Sequence, residues 1–301
     1  MNKVLSFSFA AVFAGSFLIS CKKDNEAPNT FNEDQQVSMD QNQADNEAED
    51  VSNLEDQVMD ANESVLMNGR MAADSALVRF LDSNNCATVT IIPKGTNPTG
   101  KVTVDFGTGC LCKDGRTRKG RISWTFTDKI RKQGAVVVTS YQDYGVTKRG
   151  AIEFVMIDNN SSKTTRNTSS PAVLTDNSVI QITREIEMAL KFENGQSFVY
   201  QGNKVMEWNL GLLWNKWDNI QTTLVGSGLA GTDRKGRNYT MTVNSNVVRK
   251  SQCAFMGIYK PVSGLITITH DSKTKVVDFG DGNCDSNVDI TISGKKRRAR
   301  W

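Results

Sequence analysis

The chain has 301 residues, a formal net charge of +3, 38% hydrophobic residues and a single histidine. Length and apolar content allow one large folded domain or two small ones. One histidine excludes multi-histidine metal centres and a metalloprotease helix of the HExxH type, and no Gly-x-Ser-x-Gly elbow occurs.

Lys3 supplies a positive start, and the 16 residues Val4 to Ile19 form an apolar run broken only by Ser and Gly. That is short for a membrane span of about 20 residues and suits a signal-peptide core. Leu18-Ile19-Ser20-Cys21 overlaps the end of the run and resembles the lipobox of bacterial lipoproteins. The resemblance implies cleavage after residue 20 and lipidation of Cys21, a membrane anchor through several acyl chains, palmitate among them. Residues 21–65 then hold 13 Asp and Glu against Lys22 and Lys23, with many Asn and Gln. Composition predicts a disordered acidic tether, reaching roughly 35–40 Å from the membrane as a coil. Acidic and amide residues after the cysteine also resemble export signals of Bacteroidetes surface lipoproteins. The expected location is therefore the outer membrane, on the cell surface in preference to the periplasmic face.

Beyond Val65 the sign reverses, with 33 Lys and Arg against 20 Asp and Glu. Residues 66–84 read as a short helical or irregular lead-in. From Asn85 to Trp301 period-two alternation dominates, as in Val102, Val104, Phe106 and in Ile122, Trp124, Phe126, with glycine- and asparagine-rich turns between the runs. The predicted class is all-β: a long antiparallel meander folded into a sandwich or half-barrel. One hairpin can be registered. A three-residue loop Glu193-Asn194-Gly195, with Gly195 left-handed, pairs Leu190 with Phe198, Met188 with Tyr200 and Ile180 with Trp208. That keeps the two apolar rows on one side, with Arg184 as the exception.

An internal echo repeats Val104-Asp105-Phe106-Gly107-Thr108-Gly109-Cys110 as Val277-Asp278-Phe279-Gly280-Asp281-Gly282 before Cys284. Asp-Phe-Gly in this setting reads as strand ends closed by glycine turns, not as a kinase motif. The repetition suggests two pseudo-repeats within 85–301. The blocks Cys86–Ile122 and Trp208–Ile292 resemble a group of β-rich Bacteroidetes lipoproteins, a likeness that implies a secreted β domain and carries no activity with it.

With Cys21 set aside, five cysteines remain in an oxidising compartment. The echo suggests Cys253–Cys284 and a bridge from Cys86 to either Cys110 or Cys112, leaving one thiol over. His270 closes an apolar run beside Asp271 and reads as a solvated strand-end residue. Asp278, Asp281, Asp285 and Asp289 have the oxygen chemistry of a calcium site but lack its regular spacing, so turn formation is the preferred reading. Trp208, Trp214 and Trp217 are candidates for ligand stacking, with core packing preferred. The basic runs Arg116–Arg121 and Lys295–Arg300 fit exposed strand edges or contact with anionic polysaccharide. Glu185 with Glu187, or Glu153 with Asp158, would be the carboxylate pairs of a glycan-active enzyme; all four alternate with apolar neighbours like solvent faces. No motif implies a cofactor or a nucleic-acid partner. The expected function is non-catalytic binding, adhesion or surface structure. The rivals are a carboxylate enzyme and a half-barrel carrier of apolar molecules.

Overall fold

A computed structural model describes residues 28–61, 86–94, 97–147, 151–213, 219–256, 258, 260–271, 273–285 and 287–300. The segment expected to be a signal peptide, Cys21, the 66–84 segment, Trp214 and Trp217 lie outside the described residues.

The described chain begins with a helix, α1 (Pro28–Ala61). Six strands follow: β1 (Thr88–Ile92), β2 (Gly100–Asp105), β3 (Cys110–Leu111), β4 (Thr117–Phe126), β5 (Val136–Thr147) and β6 (Phe154–Ile157). The middle holds β7 (Ser162–Ser169), β8 (Val179–Lys191), β9 (Ser197–Asn209), β10 (Ile220–Thr223), β11 (Gly228–Thr232) and β12 (Asn238–Lys250). A short helix α2 (Ser251–Phe255) precedes β13 (Ser263–His270), β14 (Lys273–Asp281), β15 (Asn287–Ile292) and β16 (Lys295–Arg300). All sixteen strands join one antiparallel sheet whose path runs from β1 to β16. The meander is therefore a single curled sheet, and it wraps α1.

Alternation drives this arrangement. Along β8, Ile180, Ile182, Ile186, Met188 and Leu190 are buried, and along β9 so are Phe198, Tyr200, Met206 and Trp208. Their pairing is the one predicted: Leu190 faces Phe198, Met188 faces Tyr200 and Ile180 faces Trp208. Phe192 N–H donates to Gln196 O at 2.9 Å, which closes a three-residue loop with Gly195 at φ 80°. A one-residue slip would put the two apolar rows on opposite sides of the sheet.

A bulge lies where β4 meets β5. Asp143 adopts φ 50°, and the register shifts between Lys119 and Arg121. The extra residue reverses the parity of β5, so Tyr141 and Tyr144 are both buried on the concave side. Gly120 sits opposite at φ 70°, where a Cβ would lie 2.1 Å from the Asp143 carbonyl oxygen.

The two echo copies have the same construction. Gly107 N–H donates to Asp105 Oδ1 at 2.8 Å and Gly280 N–H to Asp278 Oδ1 at 3.0 Å, while Phe106 and Phe279 are buried. Each copy carries a disulfide, Cys86–Cys110 and Cys253–Cys284. Cys112 is the remaining buried thiol, and burial pushes it up.

The segment expected to be a disordered tether is the main correction. Residues 28–61 are helical, and each residue from 43 to 52 is buried or half-buried. Val37, Ala44, Val51 and Val58 recur every seven residues with Ala48 and Leu54 beside them, and all six join the core of the sheet. Composition argued that such a segment cannot bury enough apolar surface on its own. It does so here because the sheet supplies the other half of the seam and the opposite charges.

Candidate functional site

The concave face of the sheet is basic, and the carboxylates of α1 meet it residue by residue. Burial in β4, β7, β8, β9 and β12 follows the inward parity of each strand, yet some inward positions are not apolar: Arg118, Lys163, Arg184, Lys204 and Arg249 are all buried. Arg116, just before β4, and Arg234, in the turn between β11 and β12, complete the cradle from two three-residue turns of similar geometry. In one, Cys112 N–H donates to Arg116 O; in the other, Asp233 N–H donates to Arg237 O.

The contacts run along the helix. Arg234 Nε donates to Asp40 at 2.7 Å while its guanidinium lies 3.5 Å from the Phe192 ring centre. Lys204 Nζ pairs with Asp45, and Arg249 approaches the same carboxylate at 3.7 Å. Arg116 Nη2 reaches both oxygens of Glu47 at 2.6 Å, and its Nε donates to Thr147 O at 2.9 Å. Arg184 donates to Glu49 at 2.6 Å. Arg118 bridges Asp50 at 2.7 Å and Asp114 at 2.6 Å. Lys163 Nζ donates to Ser52 Oγ and lies 3.6 Å from Glu55.

Removal of these groups from water acts in both directions. Burial raises Glu49, but Arg184 and Arg249 outweigh it and hold the carboxyl at about 2. At Glu47 and Glu55 burial wins over Arg116 and Lys163, and both carboxyls are raised. Burial depresses Lys204 against the pull of Asp45. The cradle therefore carries a desolvated, strongly positive field matched to carboxylates, with few groups suited to moving protons.

The residues singled out in the sequence fall in several places. Arg116 and Arg118 are not on an edge strand, since β4 pairs with β2, β3 and β5; they point at α1. Only Arg121 of that group is exposed, paired with Asp105 at 2.6 Å. Lys295 to Arg298 are exposed on the edge strand β16, where Lys296 and Arg298 pair with Asp289. Trp208 is buried, with the Arg184 guanidinium 5.5 Å from its ring. His270 is not solvated: it is 2% exposed, with Nε2 3.4 Å from Asp233 and 3.3 Å from Asp271.

The calcium candidates are turn acceptors. Asp278 accepts from Gly280 N–H, Asp281 from Asn283 and Asp285 from Asn287 N–H. Among the described residues no three His, Cys, Asp or Glu are placed to hold a metal. Glu185 and Glu187 are exposed on the outer face of β8, Glu153 is exposed, and Asp158 pairs with Lys191 and caps its own turn. The pairs do not converge on a cleft.

No family model matches this chain, and no curated protein or solved structure is significantly similar to it.

Proposed function

We propose that this is an envelope lipoprotein, anchored through lipid on Cys21 at the outer membrane and exposed on the cell surface, whose β-rich domain binds and does not catalyse. The ligand class is an anionic polymer such as an acidic polysaccharide. The observation that supports this reading is the basic concave face, which gathers inward Arg and Lys from five strands around an acidic chain. A stable core would use apolar residues at those positions, because desolvating an ion pair often exceeds its Coulombic gain. The dispersed, solvent-facing carboxylates speak for binding over hydrolysis. A concavity lined by cations and filled by α1 speaks against apolar cargo.

The test is retention of the mature chain on immobilised polygalacturonate against neutral dextran. Binding to the former that weakens steeply with added salt is expected; equal retention on both, or none on either, removes the ligand class. Protease shaving of intact cells, with a periplasmic marker as integrity control, tests the location: loss of the 86–301 domain is expected, and its survival would place it inside.

A further inference from the structure

We propose that α1 is the built-in competitor of the anionic-polymer site: the cradle of β4, β7, β8, β9 and β12 accepts a linear polycarboxylate when the helix leaves it. The inference rests on the ligand class proposed above and adds where the ligand sits and what holds the site closed.

The helix has the chemistry of such a ligand. Between residues 28 and 61 it carries ten Asp and Glu and no Lys or Arg. Carboxylates seven residues apart on one face, such as Asp40 and Glu47, stand about 10 Å apart along the axis. This is comparable to the distance between alternate carboxylates along a 1,4-linked polyuronate. Each cradle cation that meets α1 would meet a polymer carboxylate in the same way, whether through a bidentate guanidinium as at Arg234 or a point charge as at Lys204.

Chain length permits the exchange. The 24 residues 62–85 join α1 to the sheet, enough to span about 80 Å when extended. The helix can thus leave the cradle while the sheet keeps its register and both disulfides. A cleft lies where α1 meets the turn after β11, lined by Gln36, Asp40, Arg234 and Lys235. A polymer can engage Arg234 there first and advance along the cradle as Asp45, Glu47 and Glu49 withdraw. The 62–85 connection holds α1 at an effective concentration on the order of millimolar, so a single carboxylate cannot compete and a long polymer can.

The test places a thiol on the enclosed part of the helix. Ala48 is 3% exposed, so in the full mature chain Ala48→Cys should be protected from alkylation, as buried Cys112 is. Saturating polygalacturonate is expected to speed alkylation of the new thiol at least about tenfold, with the amides of the β8–β9 pairing still protected and dextran without effect. Amide exchange of α1 in the unsubstituted protein, which needs no variant to fold, should lose protection in parallel. Polymer that binds while the helix stays protected by both measures overturns the competitor and leaves the binding reading standing. Simultaneous loss of protection at the β8–β9 amides would mean unfolding of the sheet and also overturns it. Failure of the polymer to bind removes both readings.

Discussion

Arg184 on β8 donates to Glu49 of α1 at 2.6 Å across 135 residues of sequence, and both groups are buried. Arg184 is the residue that breaks the apolar row of β8, and Glu49 belongs to the segment whose composition predicts disorder. Each anomaly accounts for the other.

Breaking this pair from either side should be costly. Glu49→Gln or Arg184→Met each removes the hydrogen-bonded counter-ion of a buried charge, a loss of up to about 3–5 kcal/mol. The double substitution should cost less than the sum, because it removes both charges together. Urea unfolding of the four proteins checks this; additive losses would show that the pair does not couple.

How far the fold is legible from the sequence depends on the range of the signal. The β8–β9 register follows from local parity and a glycine turn, so it can be read without tertiary information. The Cys253–Cys284 bridge follows from the echo, whereas the choice of Cys110 over Cys112 depends on a two-residue strand pairing with Arg118 and Thr117, which sequence does not reveal. The helix is missed because disorder arguments weigh a segment alone. Its signals were present: a seven-residue spacing of Val37, Ala44, Val51 and Val58, and an excess of positive charge beyond residue 65 (33 Lys and Arg against 20 Asp and Glu) opposite in sign to the 13 Asp and Glu against two Lys of residues 21–65. Arg118, Lys163 and Lys204 at inward parities also marked a charged interior. The buried environment of His270 had no such signal, since Asp233 reaches it from the turn between β11 and β12.

Acid should release the helix late. The Glu49 carboxyl is held at about 2, below its unfolded value of about 4.3, so its contribution is complete above that value and is lost as pH falls toward 2. Glu47 and Glu55 are raised, so their protonated forms favour the folded state and that advantage fades as pH rises through their folded values. Descent from neutrality to about pH 5 therefore leaves α1 seated, and release belongs between about pH 4 and 2. Circular dichroism and α1 amide protection across pH check it; loss of the helix near pH 6 would contradict the sign at Glu47 and Glu55.

The disulfides should differ from the spare thiol in response. Cys253–Cys284 spans a sequence separation of 31, for which the chain-entropy model gives about 3–4 kcal/mol of stabilisation. Replacing both cysteines by Ala should remove about that much in urea unfolding. Cys112→Ser should leave both bridges intact, and in the parent protein Cys112 should alkylate only after denaturation. Mass spectrometry of the alkylated peptides reads both outcomes; a native chain that labels at Cys112 would contradict its burial.

Two glycines with the same sign of φ should respond differently to the same change. Gly195 lies at φ 80° with nothing within 4 Å of an added Cβ, so Gly195→Ala meets only the left-handed strain of about 1 kcal/mol. Gly120 lies at φ 70° and its Cβ would be 2.1 Å from the Asp143 carbonyl oxygen. Gly120→Ala must shift the bulge itself, adding about 1–3 kcal/mol of overpacking to the same strain. The bulge aims Tyr144 at the concave side near Glu47 and Asp50, so this substitution should also loosen the middle of α1, whereas the Gly195 loop, whose neighbour Gln196 borders the Asp40 end of the helix, should leave that middle part unchanged. Unfolding curves measure the first difference and α1 amide exchange the second; equal losses at the two sites would mean the bulge accommodates a side chain.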